Sequence, residues 1–334
     1  MLSNINVAIV GAGVVGLTAA SELLEKGMSI TLFEKSNTIS VQSSSWQAGG
    51  MISAFCESES SNDRLETFGQ LAINWWLCHV PETIRSGTGT LVLTLSRDYE
   101  ELNRFARRTH SYKWLNVDGI ASLEPDLSER FSRGLFFYKE AFLNPRKTLV
   151  LLAEKIKQRG GFLHLGEEVN PQDLISEKKF DVIIDARGFF AHHEIPSLRG
   201  VRGEMIIIRC PDVFLSHPIR LLHPRSSIYV IPREDNYFMV GASMIESNHQ
   251  NPITLRSAVE LMNTAYALHP AFAEADIIEL GVGIRPSFPN NMPKILENGK
   301  IFIINGMYRY GFLMAPILAM ELSKRLKVQF YEGK

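Results

Sequence analysis

Residues 6–16, with the sequence NVAIVGAGVVG, decide the fold of this chain. Residues 6–10 are apolar and rich in β-branched side chains, which is typical of a strand buried on both faces of a parallel sheet. After the glycines, residues 17–26 have the apolar spacing of a helix, and Gly27 supplies its end. Residues 29–33 then predict a second strand. This order is the start of a strand–helix–strand unit.

Each glycine in this unit has a separate physical task. Gly11 allows a tight turn, Gly13 lets backbone approach a pyrophosphate, and Gly16 lets the helix and the strand pack closely. The helix N-terminus offers N–H groups and the positive end of its dipole to the phosphates. Glu34, at the end of the second strand, can accept both ribose hydroxyls and disfavours a 2′-phosphate, so NADP is not expected. The series predicts dinucleotide binding and leaves NAD and FAD both open.

The chain after this unit lacks the further strand–helix alternation of an NAD-binding half. Residues 43–51, SSSWQAGGM, predict a small-residue loop, and about a hundred residues of mixed character follow. The buried pattern then resumes with a helix over 145–159 and strands over 162–165, 180–188 and 301–306. We therefore expect three separated parts of the chain to join one parallel sheet.

A second region of antiparallel β-structure is expected between these parts. Strands are predicted over 204–209, 228–232 and 237–241, with a hairpin between the last two. Residues 255–268 predict a helix. The expected fold class is thus α/β, with a Rossmann-type nucleotide domain built from discontinuous segments and an inserted, largely antiparallel domain.

Composition excludes several classes of function. The 334 residues include 35 Lys+Arg and 36 Asp+Glu, for a net charge of −1, so no bulk field attracts nucleic acid or an anionic membrane. The three cysteines, Cys56, Cys78 and Cys210, match neither a disulfide framework nor metal-ligand spacing. Residues 1–4 hold no basic residue, so no signal peptide or membrane anchor is expected. These features predict a cytoplasmic protein with reduced thiols and no bound metal.

Several sequence blocks in a fixed order resemble one known family. After the N-terminal glycine motif and Glu34 come SSSWQAGGMI, DVIIDARG, GVRGEM, YVIPREDNYFMVGASM, GVGIRPSFPNNMP and NGMYRYGFLMAP. Over residues 5 to 325 the chain resembles FAD-dependent amine oxidases of the D-amino-acid oxidase superfamily, and within it the glycine oxidases of thiamine biosynthesis. Related oxidases often carry a histidine at the position of Met307, which puts in doubt any imidazole beside the flavin here.

The resemblance implies a non-covalent FAD, since no Cys or His stands at an obvious attachment site. It places the pyrophosphate at the glycine motif, the ribose at Glu34, and the C-terminal block over the isoalloxazine ring. The positions that it assigns to the cofactor are Gly11, Gly13, Val14, Val15, Gly16, Glu34, Lys35, Ser43, Ser44, Gly49, Gly50, Met51, Val169, Gly188, Met307, Tyr308, Arg309, Tyr310, Gly311, Phe312 and Leu313.

The resemblance also implies a substrate pocket and a reaction. Arg285 would pair with the substrate carboxylate, whose planar shape matches a guanidinium, and Tyr229 and Arg309 would line the same pocket. The expected reaction is oxidative deamination of glycine by hydride transfer from the α-carbon to flavin N5. The products would be iminoglycine or glyoxylate, ammonia and, from molecular oxygen, hydrogen peroxide. The imine would supply the thiazole of thiamine.

The residues leave the substrate and the electron acceptor open. One methyl group changes discrimination by only ~1–3 kcal/mol, so sarcosine or a small D-amino acid is a second substrate hypothesis. An amino-acid dehydrogenase with another electron acceptor is a third. Relatives suggest a homo-oligomer. We expect the FAD-binding domain to comprise residues 1–55, 141–200 and 280–334, and the substrate-binding domain to comprise 56–140 and 201–279.

Overall fold

The computed structural model describes residues 5–39, 41–57, 64–85, 87–223 and 228–332. In these residues the strands are β1 (Asn6–Val10), β2 (Ser29–Glu34), β3 (Met51–Ile52), β4 (Ile84–Arg85), β5 (Thr90–Thr94), β6 (Lys113–Leu115), β7 (Gly134–Phe137), β8 (Ala141–Leu143), β9 (Phe162–Leu165), β10 (Val182–Asp185), β11 (Arg199–Arg209), β12 (Ile219–Leu222), β13 (Ile228–Pro232), β14 (Tyr237–Gly241), β15 (Ile245–Glu246), β16 (Asp276–Ser287), β17 (Lys294–Asn298) and β18 (Ile301–Asn305). The α-helices are α1 (Val14–Glu25), α2 (Arg64–His79), α3 (Tyr99–Arg108), α4 (Val117–Leu123), α5 (Pro145–Gln158), α6 (Pro171–Ser176), α7 (Leu255–Leu268) and α8 (Gly311–Lys327).

A six-stranded sheet joins the three separated parts of the chain. Its order is β17-β18-β10-β1-β2-β9, and all its pairs are parallel except β17 with β18. The central strand β1 pairs with β10 on one side and with β2 on the other. The predicted discontinuous parallel sheet is confirmed, and the antiparallel edge strand β17 was not predicted.

Alternate residues of β1 serve two different cores. Val7 and Ile9 pack with α1, α5 and α8 on one face of the sheet. Ala8 and Val10 face the opposite side, where Leu174 of α6 packs. Because both faces are covered, the strand has no polar side to present, which explains its continuous apolar sequence.

A nine-stranded sheet forms the second layer of the molecule. Its strands follow the order β15-β11-β14-β13-β12-β5-β7-β6, and β16 pairs with β11. Its pairs are antiparallel except β5 with β12. Leu261, Ala265 and Leu268 of α7 pack into the core of this sheet. The expected fold class, α/β with an inserted and largely antiparallel β region, is confirmed.

Two elements bear on the predicted domain division, which stays a prediction. Helix α2 lies within 56–140, yet its Trp75 and Trp76 belong to the same core as β1 and α1. Strand β16 runs continuously across the predicted boundary at residue 280. An apolar helix face joins the largest neighbouring core regardless of its place in the chain, and sequence spacing does not reveal that choice.

The apolar pattern of residues 314–326 predicts a helix. Helix α8 begins three residues earlier, at Gly311, which places Pro316 at its sixth position. A proline there has no N–H for the carbonyl of Phe312, four residues earlier. The indole Nε1 of the fully buried Trp76 donates to that carbonyl at 2.8 Å. Helix α2 therefore supplies the hydrogen bond that the proline removes from α8.

Among the described residues, no helix is both long and apolar enough to cross a lipid bilayer.

We expect Trp76→Phe to lower the free energy of unfolding by at least about 1 kcal/mol, because the Phe312 carbonyl loses its donor in a buried site. Denaturant unfolding measures the change. Trp114→Phe is the control, since Trp114 is 44% exposed and its replacement should shift stability by no more than about 0.5 kcal/mol.

A double-mutant cycle with Pro316→Ala separates this hydrogen bond from packing. Alanine restores an N–H to the helix, so Trp76→Phe should cost less in the Pro316→Ala background than in the wild type. An equal cost in both backgrounds would show that Trp76 contributes through packing alone.

Candidate active site

A cavity of about 1160 Å³ lies at the carboxyl end of the parallel strands, between the two large sheets. This edge is where open α/β sheets bind ligands. The cavity exceeds the ~300–1,000 Å³ of ordinary small-molecule sites, so it has room for a dinucleotide and a small substrate. The N-termini of α1 and α8 both reach its wall.

The glycine motif brings backbone to this wall. Gly11 has φ +103°, and a Cβ there would lie 2.7 Å from the carbonyl oxygen of Ala186. Gly13 caps α1 in an extended conformation, and the Cβ position there has only two neighbours within 4 Å among the described residues, the Ser45 hydroxyl at 3.4 Å and the Ser43 Cβ at 3.9 Å. Gly16 does not line the cavity. A Cβ at this position would lie 1.9 Å from the Gly11 carbonyl oxygen. The role of Gly16 is the close packing of helix and strand.

Glu34 reaches the cavity from the end of β2 and is held by backbone. Its Oε2 accepts from the Ala12 N–H at 2.8 Å, and its Oε1 accepts from the Ser36 N–H at 3.0 Å. The side chain is 8% exposed and lines the cavity. A carboxylate fixed in this way suits a ribose diol, which fits the adenosine end of FAD. Lys35 and Val169 line the same end.

The loop between β2 and β3 forms another wall. The cavity is lined by Ser43, Ser44, Gly49, Gly50 and Met51, which the family resemblance assigns to the cofactor. Gly50 has φ +72°, where a Cβ would lie 2.3 Å from the Leu143 carbonyl.

Ser45, which sequence reasoning did not select, ties this loop to the glycine motif. Its Oγ accepts from the N–H of Val14, the first residue of α1, at 3.1 Å.

The C-terminal block closes the cavity from the other side. Residues 307–313 line it without interruption. Tyr308 has φ +48°, and its N–H donates to the Pro286 carbonyl at 2.8 Å. This bond ties the C-terminal block to the end of β16, where Arg285 stands. Gly188, at φ +60°, also lines the cavity, and its carbonyl accepts from Asn305 Nδ2 at 2.8 Å.

Arg285 projects from β16 into the cavity. Its Nη1 donates to the Ser243 carbonyl at 3.0 Å. Val201 pairs with Arg285 in the register of β11 and β16, and Gly203 lies two residues further along β11. A Cβ at Gly203 would lie 2.4 Å from the Arg285 Nη2, so glycine there makes room for the guanidinium. Burial, together with the nearby charge of Arg309, lowers the pKa of Arg285 to about 10, so it remains positive at neutral pH.

Tyr229 and Arg309 meet in the cavity at a residue that sequence reasoning missed. The Tyr229 hydroxyl donates to Glu57 Oε1 at 2.6 Å, and Arg309 Nη2 pairs with Glu57 Oε2 at 2.5 Å. Burial would raise the pKa of Glu57, but Arg309, Arg220 and the Tyr229 hydroxyl hold it below its usual value. Glu57 is therefore an anion in the pocket.

Arg220 is a second residue that no sequence motif indicated. Its Nη1 donates to the Cys56 carbonyl at 2.8 Å, and its guanidinium lies 5.4 Å from the centre of the Tyr229 ring. Arg220 and Glu57 line the cavity, but each stands outside a recognisable motif. Cys56 is fully buried, and burial raises the pKa of its thiol to about 12, so it is neutral.

Glu140 lies behind this pocket and fixes the segment that carries Glu57. Its Oε1 accepts from the N–H groups of Phe55 at 3.0 Å and Cys56 at 2.6 Å. The side chain is 1% exposed. Burial raises the pKa of Glu140 to about 7, so this carboxyl group changes charge near neutral pH.

The expectation that the protein holds no metal stays a prediction. In the part of the chain that the structure describes, Glu22, Glu25 and His79 are the group with metal-ligand spacing. Glu22 accepts from the Trp75 indole and faces Lys26, and Glu25 faces Arg159. The carboxylates already have positive or N–H partners, so the group is an ion-pair network. The rings of His192 and His193 lie 3.7 Å apart at an angle of 42°, and both residues are outside this group.

All the predicted site residues except Gly16 line one cavity. Their sequence positions range from 11 to 313, so the fold brings together the N-terminal, middle and C-terminal blocks. The individual roles assigned to them, in cofactor contact and in substrate binding, stay predictions. The residues present fit FAD, since they offer an open glycine cradle, a fixed carboxylate and two helix N-termini in one cavity.

Comparison with known proteins places this geometry in a family. The model of the family described as "FAD dependent oxidoreductase" matches residues 6–325. A protein of Rhizobium etli named "Putative thiamine biosynthesis oxidoreductase ThiO" is 46% identical, over 95% of this chain and 94% of that protein. A protein of Synechocystis named "Bifunctional protein ThiO/ThiG" is 25% identical over 97% of this chain, which matches 52% of its length.

A solved structure supports the fold. The crystal structure of glycine oxidase from Geobacillus kaustophilus superposes with a TM-score of 0.80 at 21% sequence identity. The match covers 96% of this chain and 95% of that one.

The raised pKa of Glu140 predicts a dependence of stability on pH. The folded state keeps a proton that the unfolded chain releases near pH 4.5, so the contribution of Glu140 to stability falls as the pH rises through about 7. Glu140→Gln keeps an acceptor oxygen and cannot ionise. Between about pH 5 and 8, its stability relative to wild type should rise by up to ~3 kcal/mol.

Unfolding free energies of both proteins across this pH range measure the effect. A difference that stays constant with pH would show that Glu140 titrates normally in the folded state.

Proposed function

Because this chain belongs to the family of FAD dependent oxidoreductases, we propose that it oxidises glycine, with molecular oxygen as the electron acceptor. The products are the imine, which hydrolyses to glyoxylate and ammonia, and hydrogen peroxide. The observation that carries the proposal is the buried guanidinium of Arg285 in the same cavity that Glu34 and Val169 line.

FAD is the cofactor of this family. We assign its pyrophosphate to the backbone of Gly11, Gly13 and the first turn of α1, and its ribose to Glu34. Residues 307–313 and the loop with Gly50 enclose the flavin end. When bound, the flavin accepts the hydride from the substrate's α-carbon and passes the electrons to oxygen.

Arg285 binds and orients the substrate carboxylate. In the described residues no carboxylate forms an ion pair with Arg285, whereas Arg309 pairs with Glu57. A carboxylate ligand can therefore take two parallel N–H bonds from Arg285 without displacing an acid. This bidentate contact fixes the direction of the α-carbon, which is the positioning that the reaction requires.

Among the described residues that surround Arg285, neither Tyr229 nor Glu57 is suited to remove a proton from the substrate. Burial, with the neighbouring Cys56 and Glu57, raises the pKa of Tyr229 well above its usual value, although Arg220 opposes the shift. Glu57 has a lowered pKa and is engaged by two partners. We therefore propose that the amino acid reacts with its amine already neutral, and that the protein's part is binding and orientation.

We further propose that the imine supplies thiamine thiazole synthesis, in the cytoplasm. The names of the Rhizobium etli relative and of the bifunctional relative support this assignment. Assembly as a homo-oligomer stays a prediction.

Peroxide release from a series of amines by the purified flavoprotein tests the substrate. We expect kcat/KM to be highest for glycine, with sarcosine, D-alanine and D-proline lower, each by roughly 10–200-fold per added group that the pocket must accommodate. A higher kcat/KM for sarcosine, D-alanine or D-proline would show that this compound, and not glycine, is the preferred substrate. Fast turnover with an artificial acceptor and none with oxygen would indicate a dehydrogenase.

Substitution of Arg285 tests the proposed binding mode. Arg285→Leu should reduce kcat/KM for glycine by roughly 30-fold or more, because a buried carboxylate without its charged partner costs about 2–5 kcal/mol. The kcat/KM of Arg285→Lys should lie between those of the wild type and Arg285→Leu, since lysine keeps the positive charge and loses the forked pair of N–H donors. Arg159→Lys, at an exposed ion pair with Glu25, is the control. Unchanged kinetics in Arg285→Leu would remove Arg285 from the substrate site.

A further inference from the structure

Three arginines that line the cavity, Arg220, Arg285 and Arg309, lie close enough to Glu57 to lower its pKa. This excess of positive charge would by itself favour ligands with two carboxylates. We propose that Glu57 is a specificity-determining residue that occupies the second carboxylate position, against Arg309, and so restricts the site to substrates with a single carboxylate. The inference rests on the proposed amino-acid oxidation at this site and names its substrate class more closely.

The contacts of Glu57 place its carboxylate where a second ligand carboxylate would bind. One oxygen pairs with Arg309 at 2.5 Å, and the other accepts from the Tyr229 hydroxyl at 2.6 Å. These are the charge-assisted contacts that a bound dicarboxylate would need. The Glu57 side chain is 12% exposed, so little water screens it.

The lowered pKa of Glu57 keeps this carboxylate negative at neutral pH, despite its burial. A ligand carboxylate beside it would bring two like charges together in a poorly solvated site. It would also compete with Glu57 for Arg309. Both effects disfavour a dicarboxylate and leave a monocarboxylate at Arg285 unaffected.

The remaining arginines differ in what they offer to a ligand. Arg220 donates to the Cys56 carbonyl, and its guanidinium lies near the rings of Phe105 and Tyr229. These contacts hold the side chain in place, and its positive charge still acts on the pocket. Arg285 donates to the Ser243 carbonyl through Nη1 and lines the cavity. With Glu57 in place, Arg285 is the guanidinium of the three that is left for a ligand carboxylate.

The test compares acetate with malonate, which differ by one carboxylate and are not oxidised by this chemistry. Isothermal titration calorimetry and the flavin absorption spectrum of the FAD-bound protein measure both dissociation constants at about pH 8. In the wild type, acetate should bind at least as tightly as malonate. Glu57→Gln removes the charge at constant size, and Glu57→Ala also removes the side-chain carboxyl group. Both should shift the malonate-to-acetate affinity ratio toward malonate by at least ~10-fold, the size of one charge-assisted hydrogen bond.

Two matched variants complete the design. Glu57→Asp keeps the charge, so its affinity ratio should stay within about 3-fold of the wild type. Glu321→Gln removes a carboxylate from an exposed pair with Arg325 on α8 and should leave the ratio unchanged.

A purely structural role for Glu57 predicts a different result. The Gln and Ala variants would then weaken acetate and malonate equally, and this outcome would overturn the proposal. Tighter binding of malonate than of acetate by the wild type, or no malonate binding in either variant, would also overturn it. Because neither ligand is turned over, the ratio tests Glu57 even if glycine proves not to be the substrate.

Discussion

The approach of helix α1 to strand β1 is the contact on which the nucleotide site depends. A Cβ at Gly16 would lie 1.9 Å from the Gly11 carbonyl, so only glycine lets the helix begin directly over the strand. This packing brings the first N–H groups of α1 to the carboxyl edge of the parallel sheet. Glu34, held by the Ala12 N–H, stands beside the same edge. The positive helix end and the fixed carboxylate together define where a dinucleotide can lie.

Charge in the substrate end is arranged by a few buried groups, because the chain as a whole has a net charge of only −1. Arg285 and Arg309 lie close enough for each to affect the other, and Glu57 relieves that repulsion by pairing with Arg309. We propose that Arg285 is then the guanidinium that binds a carboxylate substrate. A single strong contact of this kind would orient a small molecule that has few other features to recognise.

The sequence predicted the parts of the site that follow local rules. The strand over residues 6–10, the glycines, the helix that follows them and the acid at 34 are set by short-range geometry. They appear as expected, except that α1 begins at Val14, three residues before its predicted start. The start of α8 was not predicted, because the hydrogen bond that accommodates Pro316 comes from Trp76, which is 240 residues away. Glu57 was missed for the same reason. Its partners Tyr229 and Arg309 lie 172 and 252 residues further along the chain, and no local sequence motif indicates that they contact Glu57.

The visible spectrum of the purified protein, recorded without oxygen before and after glycine is added, tests the central claim most directly. Our account predicts an oxidised flavin spectrum that bleaches when glycine is added and returns when air is admitted, with peroxide formed in proportion. The bleaching should be slowed in Arg285→Leu, while the FAD content stays that of the wild type. A flavin that stays oxidised with glycine would contradict the account, since the cavity would then bind the cofactor without performing the proposed reaction.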